Sequence, residues 1–298
     1  MSLRDGLARL GLWRLSIIVA VLAGAGAVGV VPRLRAFYSG QGTAPVERAA
    51  ATLARLPTQL AVGATSPESA GKTQGRRLLP DAEGRIRVRV SDRPPTRLPA
   101  EGIPVGWTAK EFVGHASVEL VRDEARLALR LRSERSSFAL YRDIVVDLNE
   151  FPVLSWSWKV VRLPPDGDVR DRAADDQAAQ VYVIFPRWPA PTRNSDVVGY
   201  VWDSRAPVGT RVTSTQAANV KIIVVASGRS QAETWRAEQR DVAKDYTELF
   251  GRPPPRVGQV AVMIDTNDTK AVAEALIGDL VFARTRAERM ETPTSMLR

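Results

Sequence analysis

The chain has 298 residues, 44% hydrophobic and 25% charged, the make-up of an ordinary globular protein with room for one large domain or two small ones. It holds no cysteine and one histidine, His115, which excludes structural disulfides, thiolate zinc sites, cysteine nucleophiles, lipid-anchored cysteines and multi-histidine metal centres. The net charge of +9 lies mostly at the ends: residues 1–84 carry 10 Lys+Arg against 5 Asp+Glu, residues 284–298 carry 4 against 2, and residues 85–283 carry 28 against 26. Nucleic-acid binders concentrate basic charge on the domain itself, so no nucleic-acid partner is expected.

The first element in chain order is the charge-free run Leu15 to Val31, LSIIVAVLAGAGAVGVV. At 17 residues it stands at the short limit for a membrane span. Arg4, Arg9 and Arg14 precede it, and Ala25-Gly26-Ala27 offers small residues for cleavage. Residues 1–37 are therefore expected to be a signal or anchor segment, contacting the membrane through residues 15–31. Residues 38–84, rich in Ala, Thr, Pro, Gly, Ser and Gln, follow as a flexible linker that would reach about 40 Å as a coil.

From Arg85 the texture changes to period-two alternation: RIRVRVSD, ASVELV, ARLALRLRS, VLSWSWKV, AQVYVIF, VVGYVW, VKIIVVAS, VGQVAVMID and IGDLVFA. Pro-, Gly- and Asp-rich turns separate them, and one helix is expected within Gln231–Phe250. The prediction for residues 85–283 is an all-β domain, mainly antiparallel, of β-sandwich or jelly-roll type. Besides the N-terminal transmembrane or signal helix, at most one or two short helices are expected. Residues 284–298 read as a disordered basic tail.

Trp156 and Trp158 stand two apart, as do Tyr200 and Trp202. On a strand each pair shares a face. The polar alternates Ser155, Ser157 and Lys159 mark the Trp156/Trp158 face as the drier one, which in a sandwich is the core. A carbohydrate platform then has to come from other rings. The candidates are Trp202, Tyr182 and Trp188, with Arg205 in the turn beside Trp202. Asp265, Asn267 and Asp268, with Asp176, present side-chain oxygens at short offsets that suit Ca²⁺, although neither stretch follows an EF-hand pattern. Turn-forming Asp and Asn are the alternative. A glycosidase reading needs two carboxylates across a cleft, for instance Asp176 and Asp265, or the Tyr141-Arg142 pair in an open groove. His115 has no serine elbow to partner it. Arg240, Asp241, Asp245 and Tyr246 are expected to brace the sandwich as a buried polar cluster.

One ordered set of motifs spans about residues 85–283. It runs through P-x-L-x-W-x-W (Pro152 to Trp158), D-D-x-A-A-x-V-Y-V-x-F (Asp175 to Phe185) and Y-V-W (Tyr200 to Trp202). R-D-V-x-x-D-Y-x-x-x-F-G (Arg240 to Gly251), Pro253, Asp265-Thr266-Asn267-Asp268-Thr269 and G-D-L-x-F (Gly278 to Phe282) complete it. The set resembles the bacterial family of domain of unknown function 3047. Gln180 departs from a commonly basic position, and Asn267-Asp268 inverts the family's usual order, which keeps the oxygen donors. The resemblance implies an exported protein whose domain is similar to carbohydrate-binding jelly rolls of the galactose-binding type, and it implies no chemistry. The expectation is a non-catalytic envelope protein at the bacterial inner membrane with its domain in the periplasm, binding an envelope glycan. The alternatives are an accessory structural subunit that contacts membrane protein subunits, and a polysaccharide hydrolase or lyase. No cofactor is expected other than Ca²⁺.

Overall fold

A computed structural model describes residues 78–187 and 195–284. The expected anchor, most of the linker, Trp188 and the basic tail beyond Arg284 lie outside the described residues. Among the described residues no helix is long and apolar enough to cross a membrane. The strands in chain order are β1 (Ile86–Val88), β2 (Ala100–Glu101), β3 (Thr108–Val113), β4 (Ser117–Asp123), β5 (Arg126–Glu134), β6 (Ser137–Val146) and β7 (Val153–Arg162). Then come β8 (Ala179–Phe185), β9 (Asp196–Asp203), β10 (Arg211–Thr213), β11 (Val220–Ser227) and β12 (Arg236–Asp241). Helix α1 (Val242–Phe250), β13 (Val257–Asp265), β14 (Val272–Ile277) and β15 (Leu280–Ala283) complete the domain.

Two sheets form. The eight-stranded one runs β1-β15-β7-β14-β5-β4-β2 with β12 on the free edge of β7, and the seven-stranded one runs β10-β11-β9-β8-β13-β6-β3. All pairings are antiparallel except β9 with β11, so the domain is an all-β sandwich as the alternation predicts. Between the sheets lies one continuous apolar cluster. Its centre is aromatic. Trp156 and Trp158 of β7 meet Tyr200 and Trp202 of β9, with ring centroids 5.4 Å apart for Trp156–Tyr200 and 6.0 Å for Trp158–Trp202. Within β7 the two indoles pack edge to face at 5.3 Å. Burying a ring of this size contributes roughly 4–6 kcal/mol by area.

The expected helix occupies only half of Gln231–Phe250. Arg236–Asp241 instead pairs with β7 residue by residue, from Arg236 opposite Trp158 to Asp241 opposite Val153. The helix begins where Asp241 takes an extended conformation and its carboxylate accepts the Lys244 N–H, and it ends at Gly251 in the left-handed region. The edge β7 offers a ladder to residues 236–241, and that outweighs their helix propensity.

Of the expected bracing cluster, Arg240, Asp245 and Tyr246 form polar joints, whereas Asp241 is exposed and only caps the helix. Arg240 grips Asp245 with Nε at 2.9 Å and Nη2 at 2.5 Å, and Tyr200 Oη donates to Asp245 at 2.9 Å. Tyr246 Oη and Arg252 Nη2 donate to Asp196, which also lies near Arg187. These bonds tie α1 to β9 and β12. Removing Asp245 leaves the Tyr200 hydroxyl and the Arg240 guanidinium without their acceptor. Asp245→Ala is expected to lower unfolding free energy by about 2–4 kcal/mol, read from the denaturant midpoint at constant slope. A loss under 0.5 kcal/mol would remove the bracing role.

Candidate acidic pocket on the seven-stranded sheet

Alternation along β8, β9 and β13 sends Val181, Val183, Tyr200, Trp202, Val260 and Val262 into the core. The residues between them face outward and form a second apolar layer that includes Tyr141, Tyr182, Ile184, Val201, Ile222 and Met263. A small pocket opens on this outer face, with a cavity volume of about 50 Å³. Its floor is Tyr182, Val220, Ile222 and Met263, and its rim is polar: Asp175, Gln180, Ser214, Gln216, Asp265 and Asp268.

Tyr182 is set by a glycine. Its ring lies across Gly199 of β9, where an added Cβ would come within 2.5 Å of Tyr182 Cε1 and 2.9 Å of Cδ1. Gly199 needs no unusual backbone angle; it is there for close approach. The Tyr182 hydroxyl donates to Gln180 Oε1. That bond fixes the amide and aims Nε2, which has no acceptor among the described residues although Gln180 is 1% exposed.

The adjacent carboxyls of Asp175 and Asp176 diverge, as an extended segment requires. Asp176 is fully buried and accepts the N–H groups of Asp268 (3.0 Å) and Thr269 (2.6 Å) and the Thr269 hydroxyl (2.5 Å). It caps the turn after β13 and does not line the pocket. Asp175 does line it, accepting among the described residues only from Gln177 Nε2 at 3.1 Å. Burial pushes Asp175 up to about 7, with the charges of Asp268 and Asp176 adding to the shift. Burial likewise holds Asp265 well above the usual carboxylate range, reinforced by Asp176, and the Asn267 N–H lowers it only in part. Burial also raises Tyr182.

The structure brings Tyr182, Asp265 and Asp268 together and leaves other candidates elsewhere. Trp202 is fully buried between the sheets with Nε1 donating to the Gly228 carbonyl at 3.0 Å, so it is core and not an exposed platform. Its parity on β9 is that of Tyr200, and that face is the inner one. Arg205 is exposed, pairs with Asp166 at 2.7 Å and stands outside the pocket, in a turn that buried Asp203 organises by accepting the N–H groups of Arg205 and Ala206. Asn267 donates its N–H to Asp265 and its amide to Asp268, so it is a turn residue behind the rim. The expected calcium donors therefore split between turn and rim. Among the described residues no three acidic or imidazole side chains are grouped to hold a metal ion.

The hydrolase pairings fail for related reasons. Asp176 lies in no open groove. Tyr141 joins the outer layer while Arg142 turns inward to Asp92 at 2.5 Å, so the two side chains stand on opposite faces of β6. His115 is exposed beside Glu111. Gln180 and Asp175 were missed as site residues. The signal was Gly199, a residue without a side chain in the apolar run VVGYVW.

A family model described as "Protein of unknown function (DUF3047)" matches residues 105–281. No curated protein matches the chain by sequence. Among solved structures the chain is similar to the glycoside hydrolase domain of Endo-D from Streptococcus pneumoniae R6, at 10% identity and TM-score 0.32, covering 61% of this chain and 22% of that one. It is similar to the enzymatically active domain of tailspike protein 4 of bacteriophage CBA120, at 12% identity and TM-score 0.33, covering 60% and 19%. A third is the carbohydrate recognition domain of Emp47p, at 13% identity and TM-score 0.36, covering 69% and 97%. The chain thus spans about a fifth of the first two. At such TM-scores none of the three bears on the chemistry of this pocket.

Two outcomes follow for the pocket. Gly199→Ala forces the Tyr182 ring away, and its expected cost is about 1–3 kcal/mol of unfolding free energy; an undiminished midpoint would show that the ring is free to move. Asp175 has a folded-state pKa above its unfolded one, so its protonated form favours folding. That contribution is complete below about pH 4 and is lost as pH rises through 7. Asp175→Asn keeps an acceptor for Gln177 without the charge. It is expected to melt above the parent at pH 8 and level with it at pH 4, and equal melting at both values would refute the shift.

Proposed function

We propose that this chain, which belongs to the family of proteins of unknown function DUF3047, is a non-catalytic carbohydrate-binding protein whose pocket on the seven-stranded sheet takes hydroxyl groups at the edge of a sugar. The observation that carries this reading is Gln180. Its Oε1 is held by Tyr182, its buried Nε2 has no acceptor among the described residues, and the residue lines a pocket rimmed by carboxyls. A fixed donor beside acceptors, above an apolar floor, matches a vicinal diol, whose hydroxyls both donate and accept while its C–H groups face the ring. A volume of about 50 Å³ admits a few water-sized groups, enough for the edge of a ring. Binding is favoured over hydrolysis by the acids themselves. Acid–base cleavage asks for two carboxyls whose environments push their pKa values apart, and here Asp175 and Asp265 are both pushed up.

The charge-free run Leu15 to Val31 and the linker after it support a reading in which this activity lies in the bacterial envelope, with the domain in the periplasm. Envelope glycan is the ligand class that fits this placement. The test is a bacterial glycan array probed with the full chain, in calcium and in chelator. Gln180→Ala is expected to weaken the captured glycan at least tenfold while the far-UV circular dichroism stays that of the parent, and no glycan is expected to be cleaved. Binding that survives Gln180→Ala would move the site elsewhere, and binding lost in chelator would restore a cation to the acidic rim.

A further inference from the structure

The larger cleft lies on the opposite sheet. β7 pairs with β14 from Trp158 onward but with β15 from Ser155 back, and the β14–β15 turn at Gly278 and Asp279 sits in the fork between them. The fork opens a cleft of about 670 Å³ over the outer face, in the range of small-molecule sites. Its floor is Ser155 and Ser157 of β7, with Gln239 of β12 alongside, donating to Ser155 Oγ at 3.3 Å. Gly278 keeps the floor open, because a Cβ there would sit 2.8 Å from Ser157 Oγ.

Three arginines border this cleft: Arg87 and Arg89 from the β1 edge and Arg126 from the start of β5. The acids within it already have partners. Asp279 accepts the Val90 N–H at 2.9 Å and Arg87 Nη1 at 3.3 Å, and Glu238 accepts Arg236 Nε at 2.5 Å. Arg89 is exposed and has no acidic partner among the described residues. Arg126 reaches Glu124 only at 3.9 Å and lies over the Trp235 ring at 5.1 Å. The Arg89 carbonyl is anchored by Trp107 Nε1 and Arg142 Nη1, which fixes the strand that carries its guanidinium.

We infer that this cleft is a second binding site, for a saccharide-sized ligand bearing an oxyanion, carboxylate or phosphate. Arg89 and Arg126 would take the charge, and Ser155, Ser157 and Gln239 the neighbouring hydroxyls. Arginine suits the role because its planar fork matches either oxyanion. The site is separate from the acidic pocket and does not depend on it.

Calorimetric titration of the full chain at low salt tests this with trigalacturonate, glucose 1-phosphate and the neutral maltotriose. At least one anionic probe is expected to bind saturably, with maltotriose at least tenfold weaker. Arg89→Gln/Arg126→Gln is expected to cut that affinity tenfold or more without moving the melting temperature, and Gln180→Ala is expected to leave it unchanged. Preference for the uronate assigns a carboxylate ligand, and preference for the sugar phosphate assigns a phosphate. The inference falls if neither anion binds, if maltotriose binds equally, or if the double arginine variant binds undiminished.

Discussion

The packing of Trp156 and Trp158 on β7 against Tyr200 and Trp202 on β9 is the contact on which the other surfaces depend. A strand has two faces, and committing one to the core commits its alternates to the outside. With the indoles of β7 inward, Ser155 and Ser157 must floor the outer cleft of the eight-stranded sheet. With Tyr200 and Trp202 inward, Gly199 must face outward, where its missing side chain leaves room for the Tyr182 ring. A one-residue slip in β7 would bury Ser155 and Ser157 between the sheets, and one in β9 would turn Gly199 inward, so each would erase the candidate site on its own sheet.

Buried acids in this domain divide by the number of donors they receive. Asp176 takes three donors from the 268–269 turn, Asp203 takes N–H groups from Val169, Arg205 and Ala206, and Asp245 takes two arginine nitrogens and a tyrosine hydroxyl. Such carboxylates stabilise turns and joints because donated hydrogen bonds replace their lost hydration. Asp175 accepts one side-chain amide and Asp265 one backbone N–H, and burial pushes both up, as it does Asp203 despite its three donors. The poorly satisfied acids are those that line the pocket, which is where perturbed groups gather in binding sites.

The architecture was legible in the sequence wherever alternation was clean. The serine and lysine alternates identified the Trp156/Trp158 face as core, and the Arg240–Gly251 stretch read as bracing before its partners were known. Alternation carries no face information where both faces are buried, as along AQVYVIF and VVGYVW, and there Trp202 was misplaced. The strand Ser137–Val146 escaped notice because Arg142 and Asp143 interrupt its apolar run, although Arg142 turns inward to Asp92. Choosing between Asp175 and Asp176 needed the turn at 268–269, more than 90 residues away. The arginine cleft was less visible still, since β1, β5, β7, β12 and the β14–β15 turn all contribute to it.

The two outer faces differ in charge, and this follows from the same sandwich. Residues 85–283 are nearly balanced, 28 cations against 26 anions, so a surplus of one sign on one sheet is matched elsewhere. The pocket on the seven-stranded sheet is rimmed by Asp175, Asp265 and Asp268, and the cleft on the eight-stranded sheet by Arg87, Arg89 and Arg126. An oxyanion is attracted by the second over distances longer than any hydrogen bond. A neutral hydroxylated group feels little of either field and is selected by donor and acceptor geometry alone, which the Tyr182–Gln180 pair supplies. In the proposed reading the core of the sandwich keeps two recognition chemistries apart, a cationic cleft on one sheet and a hydrogen-bonding pocket on the other.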